Sequence, residues 1–277
     1  MLNYNIPEWN SINNLSNEEY SIYLNKIEQL GIKYNHFKIL NKVPHLKLDL
    51  PKFDYVTAKK QILNATKNKF VSINARNYYD TQKNGPLNHP YWSARALINY
   101  SHHSDRFFGN RDKEYATLSV PELQPKSKNL LDQNQEITLE DMIYYKTDIY
   151  NAVPYITNYI NTYICDKSYR IYLWKLAAGG TIEWHNHSNL LWNKNLEINE
   201  SILVHIPIIT HSSVEMLVKI NNKIYSEYYK PGNVYIFNNN YDHAVVNNSN
   251  VDRLHIVIMV PWSDNKLANL VSKERYE

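Results

Sequence analysis

Cysteine is nearly missing from this chain, with Cys165 the one thiol in 277 residues. A lone cysteine excludes an internal disulfide and a cysteine-rich zinc site, and it fits a reducing interior. An excess of either charge is missing too: 30 basic residues against 27 acidic ones leave a formal net charge of +3. That balance demands no nucleic-acid partner, and the aromatics are scattered without the basic interleaving of a base-stacking surface. No apolar run approaches the ~18 residues that would mark a membrane span. The opening Met1-Leu2-Asn3-Tyr4-Asn5 has neither the basic nor the apolar region of a signal peptide. The expectation is a soluble, cytoplasmic protein with neither a nucleic-acid nor a membrane partner. Glycine is scarce at 6 while tyrosine reaches 24; with conspicuous Asn, Lys and Ile, this is the bias of an AT-rich genome rather than a functional signal. Also lacking are a Ser/His/Asp order, paired catalytic carboxylates and an activated cysteine, so side-chain nucleophilic catalysis is not expected.

What is present is histidine at informative spacings. His185-Asn186-His187 places two imidazoles two residues apart, which on a strand project to one face. His243 follows 56 residues after His187 (243 − 187), and Arg253 ten residues after that (253 − 243). A third imidazole arriving from a distant strand can close a three-ligand facial site suited to mononuclear iron. Each of these residues also has an ordinary reading. A strand histidine is commonly a buried, hydrogen-bonded residue, and for His187 and His205 that alternative stands. Arg253 could be an edge charge. His211 and His255 are taken as structural. His102-His103 are adjacent and diverge on a strand, so no second metal is expected there.

The stretch between these residues is written in β-branched and aromatic runs. Residues 170–176, 201–209, 214–220, 223–229, 233–237 and 253–260 all qualify. Asn221-Asn222 is a hairpin dipeptide and Pro231-Gly232 a turn signal. Residues 169–262 thus supply about eight strands and no convincing helix, which a double-sheet jelly roll accommodates. The expected fold is mainly β with flanking helices around a jelly-roll (double-stranded β-helix, cupin) core.

The blocks Gly180-Thr181-Ile182-Glu183-Trp184-His185, Val204-His205-Ile206-Pro207-Ile208, Gly232-Asn233-Val234-Tyr235-Ile236-Phe237, Asp242-His243-Ala244-Val245 with Asn247-Asn248, and Arg253-Leu254 resemble the aspartyl/asparaginyl β-hydroxylase family. That family belongs to the cupin-fold iron(II)/2-oxoglutarate oxygenases and includes bacterial proline hydroxylases. The resemblance covers roughly the last third of the chain. It implies that His185 and His243 are iron ligands, that Arg253 holds the remote carboxylate of 2-oxoglutarate, and that His205 lies beside that cosubstrate. It also implies the reaction: 2-oxoglutarate and dioxygen are converted to succinate and carbon dioxide while a C–H bond of an amino acid or a peptide side chain (Asp-, Asn- or Pro-like) is hydroxylated. Two departures matter. His187 stands where many such enzymes have a ligating aspartate, which leaves a two-histidine site completed by water or a three-histidine site. Leu203 stands where close relatives of the β-hydroxylases carry an arginine.

The front half has a different texture. Ser16-Asn17-Glu18-Glu19 is a capping-box pattern opening a helix to about Leu30, with Gly31 as its stop. Residues 57–68 form a second helical candidate, and Thr138 opens a third that runs, broken near Pro154, to about Cys165. Strand candidates lie at 69–75, 94–100 and 115–120. There is no repeat and no linker long enough to separate two domains, so residues 1–140 are expected to buttress a jelly-roll unit at 141–277 and to supply one wall of the pocket. Substrate-wall candidates are Trp184, Trp192, Arg106 and Arg111; an arginine there would suit a free amino acid's carboxylate. Two other classes remain open: a three-histidine cupin dioxygenase that does not use 2-oxoglutarate, and a metal-free cupin-like binding protein.

Overall fold

A computed structural model of the chain describes residues 6, 8–10, 15–80, 85–99, 104–105, 144–187 and 201–273. The strand candidate at 115–120, the His102-His103 pair, Arg106, Arg111 and Trp192 lie outside the described residues.

Against an expectation of about eight strands in the last third, eight form: β6 (Arg170–Leu176), β7 (Thr181–His185), β8 (Ser201–Ile209), β9 (Val214–Ile220), β10 (Lys223–Glu227), β11 (Val234–Phe237), β12 (His243–Asn247) and β13 (Arg253–Pro261). They divide between two antiparallel sheets, in the spatial orders β11-β8-β13-β6 and β7-β12-β9-β10. Most successive strands therefore cross from one sheet to the other, and the two sheets enclose a barrel-like interior, as in a jelly roll. Asn221 and Asn222 take φ of 49° and 61°. These are the left-handed values of a two-residue hairpin turn between β9 and β10, which asparagine tolerates better than most residues.

The front half enters these sheets rather than only lying against them. Strands β3 (Val71–Asp80) and β4 (Gly85–Asn99) extend the larger sheet beyond β6, and β2 (Leu46–Leu48) extends it beyond β11. Strand β1 (Glu8–Asn10) runs parallel to β7 on the smaller sheet, and β5 (Tyr145–Lys146) pairs with β4. Helices α1 (Asn17–Lys33), α2 (Tyr55–Thr66), α3 (Pro154–Tyr159) and α4 (Asn265–Lys273) complete the fold.

Local sequence accounts for these helices, with two differences from expectation. The Ser16/Glu19 capping box forms reciprocally at the start of α1, but the helix passes through Gly31. A Cβ there would lie 2.8 Å from Asn41 Nδ2, so the glycine serves the close approach of the following turn rather than a stop. Pro154 opens α3 at its first turn instead of breaking a longer helix, because a first-turn residue has no intrahelical use for its N–H. The described residues before it form β5 and a short 3-10 turn at 150–152.

Burial explains why β8 and β13 are apolar almost throughout. Ile202, Val204, Ile206 and Ile208, with Leu254, Ile256, Ile258 and Val260, pack outward against Leu40, Ile62, Ile156 and Leu267 of the helical layer. The alternate residues Leu203, Val257 and Met259 face the interior with Met216, Phe237 and Val245. Strands buried on both faces lose the simple polar alternation of an edge sheet. Any polar side chain at an inward position is therefore deep in the protein.

Candidate metal centre

His205, His243, Arg253 and His255 occupy such inward positions on β8, β12 and β13, and all are at most 3% exposed. His185, at the end of β7, lies directly across from His243 in the strand register. The residues between them reveal how. Val245 pairs with Ile182 and His243 with His185, so a three-residue step on β7 answers a two-residue step on β12. This β-bulge turns Ile182 and His185 to the same side in spite of their odd spacing. Without it His185 would face the other surface of the sheet.

His187 follows just beyond β7 and is tied by its backbone N–H to the carbonyl of Asn239, at 3.0 Å. The three rings converge, with centroids 4.3 Å apart for His185 and His243, 5.4 Å for His185 and His187, and 5.0 Å for His187 and His243. One ring nitrogen from each lies within 4.8 Å of the others. Two backbone carbonyls set the tautomers. His185 Nδ1 lies 2.7 Å from the Glu183 carbonyl and His243 Nδ1 2.9 Å from that of Tyr241. A carbonyl only accepts, so each Nδ1 carries the hydrogen and each Nε2 presents its lone pair. His243 Nε2 is buried and has no hydrogen-bond partner among the described residues. Burial, then the neighbouring His185 and His187, hold the His243 imidazole far below its ordinary pKa, so it is neutral. Burial and then His185 do the same for His187, which nevertheless keeps some exposure. Neutral imidazoles aimed at one point fit a divalent transition metal.

Deeper in the same cavity lies Arg253, fully buried and opposite Leu176 of β6. Its Nη2 contacts Met216 Sδ at 3.2 Å and His255 Nδ1 at 2.8 Å, while Nε and Nη1 have no partner among the described residues. No carboxylate among the described residues balances it. Burial alone brings its pKa down to about 9, with Tyr229 opposing. Both nitrogens of His205 are likewise buried without partners among the described residues. Trp92, Trp174, Ile182, Leu203, Met216, Phe237 and Val245 complete the cavity wall.

Trp184 is not in that wall. The bulge that turns His185 inward leaves Trp184 on the outer face, 3% exposed and packed with Leu217, Ala244 and Val246. Lys219 Nζ lies 4.8 Å from its ring centre. The expectation that Trp184 lines the substrate pocket is therefore replaced: the tryptophans of the cavity are Trp92 and Trp174, whose rings meet edge to face at 5.0 Å. Trp174 could have been found from alternation along β6. Trp92 could not, because nothing local places β4 beside β6. His255 was legible by the two-residue step from Arg253. His211 is exposed, and its Nδ1 accepts from Ser213 N–H at 3.1 Å, in keeping with a structural role.

Residues 59–262 match the family model of aspartyl/asparaginyl beta-hydroxylase. No curated protein matches the sequence. Among solved structures, a 2OG-Fe(II) oxygenase family oxidoreductase from Burkholderia pseudomallei is 11% identical, with 83% of this chain and 90% of that one covered at a TM-score of 0.39. A cupin domain from Bordetella pertussis Tohama I is 19% identical, with coverage of 33% and 79% and a TM-score of 0.25.

Proposed function

Since this chain belongs to the aspartyl/asparaginyl β-hydroxylase family and is a hydroxylase-type oxygenase, we propose that it is an iron(II)/2-oxoglutarate-dependent enzyme that hydroxylates an amino acid or a peptide side chain, releasing succinate and carbon dioxide. The observation that carries this reading is Arg253: a fully buried guanidinium with no acidic partner among the described residues, in one cavity with His185 and His243, two of the three converging imidazoles. A buried charge is costly unless something pairs with it. Three neutral ligands leave the charge of a divalent cation uncompensated as well, and a dianionic 2-oxo acid answers both demands.

In this reading His185, His187 and His243 hold the metal, Arg253 grips the remote carboxylate and His205 lies beside it. Iron(II) bound there supplies the electron and oxygen chemistry. The chain's own contributions are positioning and dryness. The carbonyls of Glu183 and Tyr241 keep the imidazoles in their metal-facing tautomers. Trp92, Trp174, Leu203, Phe237 and Val245 give the cavity an apolar wall that excludes water. Leu203 withholds a second guanidinium, so Arg253 is the one cation that the described wall supplies.

The test is oxygen-dependent formation of succinate from 2-oxoglutarate by iron(II)-loaded protein, with an amino acid and peptide panel as substrates. Succinate in wild type and its loss in Arg253→Ala support the reading. The three-imidazole cluster without a carboxylate also favours a second reading, a cupin dioxygenase that needs no 2-oxoglutarate. Oxidation that survives Arg253→Ala, with no succinate from wild type, would select it. A wild type that retains no iron, manganese, zinc or nickel would favour a metal-free binding protein.

A further inference from the structure

The mechanism above leaves one buried imidazole unused. Alternation along β13 puts His255 on the same inward side as Arg253, and it is 0% exposed. Its Nδ1 lies 2.8 Å from Arg253 Nη2. A guanidinium can only donate, so Nδ1 accepts and the ring hydrogen sits on Nε2. The imidazole is neutral, held far below its usual pKa by burial and then by the Arg253 charge and His205. Met216 Sδ at 3.2 Å is the other contact of Nη2 and a weak acceptor. One nitrogen of the guanidinium is thus fixed, while Nε and Nη1 keep their hydrogens unpartnered among the described residues.

The chemical type of the acceptor matters. A carboxylate in this place would orient the arginine equally well but cancel its charge before an anion arrived. An apolar side chain would preserve the charge and leave Nη2 without its strong acceptor in a dry interior. A neutral imidazole avoids both losses.

We propose that His255 is a positioning residue of the cosubstrate pocket: through Nη2 it sets the orientation of Arg253 while leaving the full positive charge to the remote carboxylate of 2-oxoglutarate. This rests on the reading of the site as a 2-oxoglutarate pocket. Because Nη2 is committed, the carboxylate meets Nη1, and its further donor is the His205 imidazole on the adjacent strand, whose nitrogens are also without partners among the described residues.

The experiment is calorimetric titration of 2-oxoglutarate into zinc-loaded wild type, His255→Asn and His255→Asp, with zinc affinity and melting temperature measured for each. Asparagine offers a neutral acceptor near the position of Nδ1, and aspartate a charged one of the same shape. Affinity for 2-oxoglutarate within about threefold of wild type in H255N, and weaker by about tenfold or more in H255D at unchanged zinc affinity, is the expected result. Equal behaviour of the two variants overturns it. If H255D does not fold, His255→Leu takes its place. A leucine variant that binds as H255N does then overturns the proposal, and one weakened about tenfold supports it. Wild type that binds zinc but not 2-oxoglutarate brings down the oxygenase reading itself, a failure separate from that of the variants.

Discussion

Two backbone carbonyls decide what the metal-site histidines can do, and neither is visible as a motif. Glu183 and Tyr241 each accept from an Nδ1 two residues downstream and turn an Nε2 lone pair into the cavity. Replacing His185 or His243 by alanine is expected to abolish stoichiometric zinc or manganese binding, read by calorimetry or metal analysis. Arg253→Lys is expected to weaken 2-oxoglutarate by about tenfold or more while sparing the metal, since one ammonium cannot serve His255 and an anion in the same fixed geometry. The buried imidazoles also set a pH dependence. Burial lowers His45 to about 4 and drives His205 and His255 well below the ordinary value. The unfolded chain, with histidines near 6.5, then binds more protons than the folded one, so stability is retained above about pH 6.5 and falls as pH drops towards 4. Urea titrations of metal-free protein at pH 7.5 and 5 should show that loss, and His45→Gln should flatten part of it. At this scale the sequence pattern singled out His185, His187, His243 and Arg253 as candidates, because alternation and spacing can be read from the residues alone. It took His255 as structural because the value of an imidazole there depends on the guanidinium it touches.

Strand boundaries were largely readable at the scale of elements, and the exceptions have physical causes. Strands β6, β8 and β9 form over the residues whose β-branched and aromatic content predicts them. The bulge in β7 was not legible, because it exists in the register with β12 rather than in β7 itself. Deleting Glu183 would remove the extra residue and restore plain alternation. Ile182 and His185 would then lie two residues apart and stay inward opposite Val245 and His243, so the expected outcome is a folded protein that retains its zinc affinity, read by calorimetry. The turn that carries the chain from β12 to β13 offers a second test. Asn247 Nδ2 donates to the carbonyls of Ala177, at 3.0 Å, and Val251, at 2.9 Å, while its Oδ1 accepts from Ser249 N–H and Oγ–H. It is fully buried. Asn247→Ala should cost about 2–4 kcal/mol in chemical denaturation, since it leaves several groups unsatisfied near the root of Arg253. Asparagine in a run of asparagines looks like compositional bias, which is why this position does not stand out by residue type.

For the molecule as a whole, the larger sheet is a partition: one face packs on the helical layer and the other closes the cavity of His185, His205, His243 and Arg253 with the smaller sheet. The two faces should respond separately. Ile256→Ala, on the helical side, is expected to lower stability by about 2–5 kcal/mol without changing zinc affinity. Zinc at about a hundredfold its Kd should in turn raise wild-type stability by about 2.7 kcal/mol, reversed by a chelator and absent in His243→Ala. No helix among the described residues is long and apolar enough to cross a membrane. The sequence by itself determined the strand-rich last third, the hairpin at Asn221-Asn222, the cap at Ser16 and the histidine types of the candidate metal centre, since side-chain periodicity, turn chemistry and capping act over a few neighbouring residues. Only the tertiary structure decided that β3 and β4 extend the larger sheet, that Trp92 and not Trp184 faces the cavity, and that Arg253 is buried with no acid beside it among the described residues and with His255 in contact. Those outcomes depend on which strands become neighbours and in what register, and a pairing such as Trp92 with Leu176, 84 residues apart (176 − 92), leaves no periodic trace in either partner.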